Sequence, residues 1–130
     1  MDIIRLDHLV LTVVDIERTC TFYCNVLGMQ RVTFGNNRTG LLFGQQKINL
    51  HLPGWDDYLR ADKPTPGSAD LCFLVDRDVA LVAAELGANA VELIDGPVEK
   101  IGASGPIRSI YFRDPDGNLI EVSNALNTVD

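Results

Sequence analysis

The sequence predicts an α+β protein made of two copies of one β-α-β-β-β module. Three observations carry this reading. A strand-like run followed by an apolar helical stripe occurs twice, beginning near residue 6 and again near residue 69. Each helix is followed by three short segments in which apolar and polar residues alternate, the period of a half-buried strand. The chain has 130 residues, 46% of them hydrophobic, which is enough for a core and for no more than one domain of two small halves.

The first strand is expected in "LDHLVLTV" (6–13). Asp15 then stands where a side chain can accept backbone N–H bonds and start a helix. In "IERTCTFYCNVLG", Ile16, Cys20, Tyr23 and Leu27 fall on one helical face, and Gly28 suits a left-handed ending. Strands are expected in "MQRVTF", "TGLLFG" and "KINLHL". The two prolines and two glycines of "GWDDYLRADKPTPGS" mark a linker. The pattern then restarts: "ADLCFLV" (69–75), Asp78, and a helix in "VALVAAELG" with Val79, Val82, Ala83 and Leu86 on one face and Gly87 as its stop. The last strands are expected in "AVELI", "IRSIYF" and "NLIEVS". Module one is thus bounded at about 4–53, the linker at 54–67 and module two at 68–124. A lone module cannot cover both its helix and the far side of its sheet, so the two are expected to pack about one shared cavity.

A net charge of -7, spread along the chain, opposes binding to nucleic acid or an anionic membrane surface and favours solubility. The three cysteines, at 20, 24 and 72, cannot all pair with one another, and the start lacks a secretory pattern. No apolar run approaches the roughly 20 residues of a membrane helix. These features predict a reduced, cytoplasmic protein that acts on a small molecule.

Aligning the two halves sets His8 against Asp70 and brings His51 near the place of Glu121. By strand alternation His8 shares a face with Val10, His51 with Asn49, Asp70 with Cys72, and Glu121 with Ser123. If those faces line the cavity, two imidazoles and two carboxylates converge, a set suited to Zn, Mn, Fe(II), Co or Ni. Taken singly, each has a plainer role: a satisfied strand histidine, an edge-strand glutamate, or Asp70 as a turn acceptor after "PGSA". The "RDPDG" turn reads as structural, with Asp116 and Gly117 at the positive-φ hairpin positions. Cys20 and Cys24 read as core residues. The glycine-rich "EKIGASGPIRS" (99–109) reads either as a mobile lid carrying Lys100 and Arg108 towards an anionic substrate or as a solvated loop.

With His8 on its first strand, "TFYCNVLGM", "GSADLCFLV" and "YFRDPDGNLIEV", the chain resembles the vicinal oxygen chelate superfamily of glyoxalases, bleomycin-resistance proteins and extradiol dioxygenases, over residues 4–124. The resemblance implies a glyoxalase-like half-barrel around a divalent metal, commonly completed as a homodimer. It implies His8 and Glu121 as metal ligands. Asp70 replaces the usual second histidine, and the family's fourth-strand glutamate falls on Asn49, one same-face step from His51. The ligand set is therefore expected to be His8, His51 and Glu121, with Glu121 and Asp70 in catalytic roles. Ser109 and Tyr111 match substrate-holding residues of the fosfomycin-resistance members. The implied activity is that of a metal-dependent lyase, isomerase or transferase. The alternatives are an extradiol-type dioxygenase and a metal-free drug- or metabolite-binding protein.

Overall fold

The computed structural model describes residues 1–55 and 59–126. The chain divides into two units, Met1–Ser68 and Ala69–Asp130. The fold is α+β, with two four-stranded mixed sheets and two helices, and neither sheet closes into a barrel.

In unit 1, β1 (His8–Thr12), α1 (Ile16–Leu27), β2 (Gln30–Phe34), β3 (Arg38–Phe43) and β4 (Gln46–His51) follow the expected order. The sheet runs β1-β4-β3-β2, with β1 parallel to β4 and the other pairs antiparallel. Asp15 caps α1 as its position required, accepting from the Arg18 N–H at 2.8 Å, and Gly28 takes the left-handed ending with φ 68°. The helix buries Cys20 and Tyr23, and the helix-facing side of the sheet buries Leu11, Leu41, Ile48 and Leu50. Each such apolar side chain contributes about 1.5–3 kcal/mol on leaving water. The residues between them along each strand are left for the opposite face.

Unit 2 repeats the plan with β5 (Asp70–Leu74), α2 (Val79–Ala88), β6 (Asp95–Gly102), β7 (Gly105–Arg113) and β8 (Leu119–Ala125), in the order β5-β8-β7-β6. Its core is Val79, Leu86, Ile110, Phe112, Ile120 and Val122. Asn124 ties the start of α2 to the sheet: its Nδ2 donates to the carbonyls of Val75 (3.0 Å) and Arg77 (2.8 Å), and its Oδ1 accepts from the Val79 N–H (2.9 Å).

Four local expectations are corrected here. Gly87 lies inside α2, and the left-handed residue after the helix is Ala90, with φ 57°. The sixth strand falls at Asp95–Gly102 instead of in "AVELI". Its ladder is set by the nine residues of β7, which offer partners as far as Gly105 opposite Gly102. The segment 99–109 is consequently no irregular loop but a β-hairpin whose tip is Ala103 and Ser104. In the "RDPDG" turn only Gly117 has positive φ, at 88°, while Asp114 is the organiser. That buried carboxylate accepts from the N–H groups of Asp116 (3.0 Å) and Asn118 (2.9 Å) and from the Asn118 side-chain amide (2.7 Å).

Among the described residues, no helix is long and apolar enough to cross a membrane.

Candidate functional site

The strands of unit 2 assemble a site on the sheet face away from α2. Cys72 on β5 and Tyr111 on β7 both stand opposite Glu121 on β8, and one same-face step along, Ser109 stands opposite Ser123. Cys72, Tyr111 and Glu121 line a cavity of about 660 Å³ that also takes in Lys100, Ile107 and Leu126, while Ser109, which was expected to hold substrate, and Ser123 lie buried beneath it. The volume matches that of ordinary small-molecule sites.

Glu121 is held in a fixed orientation. The Ser109 hydroxyl donates to its Oε2 at 2.6 Å and lies 2.6 Å from the Ser123 hydroxyl, which is itself 3.5 Å from the same oxygen. Ser109 and Ser123 are both fully buried, so the network is shielded beneath the carboxylate. Burial, together with the hydrogen bond and charge of Glu121, pushes the Tyr111 phenol up to about 12, keeping it protonated as a donor. Partial burial also raises the Cys72 thiol, which sits 3.4 Å from the Ser123 hydroxyl and is further opposed by the charge of Glu121. Cys72 thus lines the cavity with a thiol that ionises less readily than an ordinary one.

The remaining unit 2 candidates separate. Asp70 opens β5 opposite Leu119, one same-face step from Cys72, and is exposed. Lys100 lines the cavity, its Nζ 6.0 Å from the Tyr111 ring centre. Arg108 does not join them. It alternates with Ser109 onto the helix side of the sheet, where its guanidinium lies 4.0 Å from Asp78.

Unit 1 presents a different set. His8 is exposed, with its Nδ1 2.9 Å from the Asp7 carboxylate. His8 stands opposite Lys47, whereas His51 stands opposite Thr12. The two imidazoles share a face but are offset by four residues, about 13 Å along the strands. His51 is 3% exposed, 3.4 Å from the Arg38 guanidinium, with its ring 5.6 Å from that of Trp55. Burial and the charges of Arg38 and Arg60 hold its pKa below the ordinary imidazole value. The structure thus does not bring His51 to His8, and the guanidinium groups beside it oppose a divalent cation. The register also identifies the true counterpart of Glu121. Asn49 faces Val10 as Glu121 faces Cys72, so His51 corresponds to Ser123.

Each unit offers one donor of a type suited to a divalent ion, the His8 imidazole beside Asp7 and the Glu121 carboxylate oriented by Ser109. Among the described residues, no three His, Cys, Asp or Glu side chains gather closely enough to hold an ion.

Sequence reasoning missed Arg38, Phe34 and Arg60. The first two could have been found by carrying strand alternation across "RTGLLF" and "QRVTF". Arg60 lies in the stretch read as linker and had no local signal.

The family model of the Glyoxalase/Bleomycin resistance protein/Dioxygenase superfamily matches residues 5–122, and the chain belongs to that superfamily. It is 54% identical over 123 residues to the virulence protein STM3117 of Salmonella typhimurium, covering 95% of this chain and 85% of that protein. The crystal structure of that relative superposes with a TM-score of 0.94 at 52% identity, over 97% of this chain and all of that one. The glyoxalase domain-containing protein RDO1 of Mycosarcoma maydis is 49% identical over 119 residues, covering 92% of this chain and 67% of that protein. Mitochondrial methylmalonyl-CoA epimerase of Homo sapiens is 31% identical over 133 residues, covering 93% of this chain and 74% of that protein.

Proposed function

We propose that the chain is a glyoxalase-like enzyme that moves a proton at a carbon beside a carbonyl of a small oxygen-bearing substrate, with Glu121 as the base. The observation that carries this reading is the Glu121 carboxylate on the floor of the unit 2 cavity, with Oε2 held at 2.6 Å by the buried Ser109 hydroxyl. A general base must be aimed before its substrate arrives, and the serine pair supplies that aim. The protonated Tyr111 phenol beside it is a donor for oxygen charge that develops as the carbon is deprotonated. Lys100 on the cavity wall adds positive charge for the same purpose. The epimerase relative, named for stereochemical inversion, supports this reaction type over redox or group-transfer chemistry. Asp70, exposed and a step away, serves as the second acid–base group or as a ligand.

We assign His8 and Glu121, each taken in its own unit, as residues suited to ligate a divalent ion, which when bound would supply a Lewis acid for the substrate oxygens. Support comes from the family and from the Asp7–His8 contact. Elemental measurement after loading with Zn, Ni, Mn or Fe(II) is expected to find about one ion per chain. Glu121→Gln and His8→Ala should each weaken binding by more than tenfold. If no stoichiometric ion is found and Glu121→Gln leaves small-molecule binding intact, the enzyme reading fails.

A second reading, a metal-free binding protein, is favoured by one observation: the four-residue offset that separates His51 from His8. Ligand binding at full strength in the presence of chelator, with no turnover, would establish it. A homodimer remains our reading of the assembly, and light scattering that reports a monomer removes it. The three free thiols accord with a reducing compartment.

A further inference from the structure

The hydrogen-bond network of unit 2 has a far end that the reading above leaves without a role. Cys72 on β5 has its Sγ 3.4 Å from the Ser123 hydroxyl on β8. The Ser123 oxygen lies 2.6 Å from that of Ser109 on β7, and Ser109 lies 2.6 Å from Glu121 Oε2. Register produces each contact: Cys72 and Tyr111 flank Glu121 and Ser109 stands opposite Ser123, so the path runs from β5 through β8 to β7 and back to β8.

Counting protons fixes which atom donates. A hydroxyl or a thiol carries one proton, whereas an ionised carboxylate only accepts. Ser109 is as close to Glu121 as to Ser123, and its single proton goes to the carboxylate, where the bond is charge-assisted and roughly twice as strong as a neutral one. Two hydroxyl oxygens 2.6 Å apart need a proton between them, so Ser123 must direct its own to Ser109. The 3.5 Å approach of Ser123 to Glu121 Oε2 is then secondary. Both serines are fully buried, which keeps bulk water from competing for these positions. Ser123 has only a lone pair left for the sulfur, and the Cys72 S–H becomes the donor of the last contact.

We propose that Cys72 is a positioning residue for Glu121: its S–H heads a one-way chain, from Cys72 through Ser123 and Ser109 to Oε2, that sets the rotation of the carboxylate and leaves Oε1 to receive the substrate proton. The part given to Oε1 rests on the reading of Glu121 as the base; the chain of donors does not. A thiol suits the head of the chain, because sulfur is a weak acceptor and lines the cavity without a lone pair that demands a donor. Dipoles that point the same way strengthen one another, so loss of the first donor is felt at the last acceptor.

Infrared spectra of the full chain at neutral pH, with chelator present and no substrate, test this. Of the three free thiols, Cys72 is isolated in the S–H stretching region as the difference between the parent chain and Cys72→Ala. Its band is expected at the lowered frequency of a donating thiol. It should rise towards the free value in Ser123→Ala, and rise in Glu121→Ala, where both serines remain but nothing polarises them. The Glu121 carboxylate band, isolated as the difference from Glu121→Ala, should shift in Cys72→Ala and return in Cys72→Ser, which keeps a donor in place. Should Ser123→Ala melt early, proton NMR of the parent chain decides: the buried hydroxyl protons should exchange slowly, and that of Ser123 should show its stronger cross-peak to Ser109. A thiol band that stays lowered in Ser123→Ala means direct donation to Glu121 and overturns the proposal. So does a carboxylate band that Cys72→Ala leaves unmoved or Cys72→Ser fails to restore, or a Ser123 proton directed at the sulfur. Failure of the base reading shows instead in metal and small-molecule binding by Glu121→Gln, and leaves both bands where they are.

Discussion

The two sheets have the same strand order, and β1-β4-β3 matches β5-β8-β7 in register, yet equivalent positions carry different chemistry. Tyr111 opposite Glu121 in unit 2 corresponds to Gly40 opposite Asn49 in unit 1. One step along, the buried pair Ser109 and Ser123 of unit 2 corresponds to Arg38 and His51. Unit 2 therefore offers a carboxylate oriented by hydroxyls, and unit 1 a buried imidazole beside guanidinium groups. The apolar residues that form each core lie on the opposite side of the strands, so the fold places few demands on these facing positions. They are free to carry whatever the ligand requires.

The connections that hold the two faces differ as well, and this contrast should give the largest effect. The turn between β7 and β8 depends on Asp114, and Asp114→Ala would strand two backbone N–H groups and the Asn118 amide. A loss of about 2–4 kcal/mol is expected in urea unfolding. The matching turn between β3 and β4 is short and has Gly44 at φ 51°, with nothing near its missing side chain. Gly44→Ala should cost only about 1 kcal/mol. Equal losses would show that the two turns do equivalent work and would break the contrast.

A smaller effect separates His51 from Ser123. Burial and the nearby Arg38 and Arg60 depress the folded-state pKa of His51 below its unfolded value, so the unfolded chain binds more protons in that window. This contribution to stability is fully present above the unfolded value, about 6.5, and is lost as pH falls towards the folded pKa. Unfolding free energies measured in steps between about pH 7 and pH 5 should decline in the parent chain and decline less in His51→Gln. An unchanged slope would mean that the cations on this face do not act on the imidazole.

The smallest effect sharpens the account of unit 2. Burial is the leading cause that raises Tyr111, with Glu121 second. Glu121→Gln should bring the phenol only part of the way from about 12 back towards its ordinary value, as read by ultraviolet titration of the tyrosines. A complete return would make the carboxylate the dominant cause, and no movement would mean that it does not sense the phenol at all.

What the sequence determined by itself was local in origin. The repeated module, the buried faces of both helices and the Asp15 and Asp78 caps follow from 3.6- and 2-residue periodicities and from cap chemistry, each contained within a dozen residues. The shared face of Glu121 and Ser123 was legible for the same reason, whereas Arg108, expected to reach the substrate, lies on the opposed face beside Asp78. Pairing between distant strands decided the rest. Whether Asn49 or His51 answers to Glu121 is a question of register, and a strand's own residues do not state which neighbour they will meet. The "EKIGASGPIRS" segment became a hairpin because β7 offered it a ladder, against a composition that favours loops. Arg60 meets Thr12 across 48 residues, and no periodicity reaches that far. The chemistry of each face was written in the sequence one residue at a time, while its assembly into a site required the sheet, because hydrogen-bonded strands are what bring such residues within a few ångströms of one another.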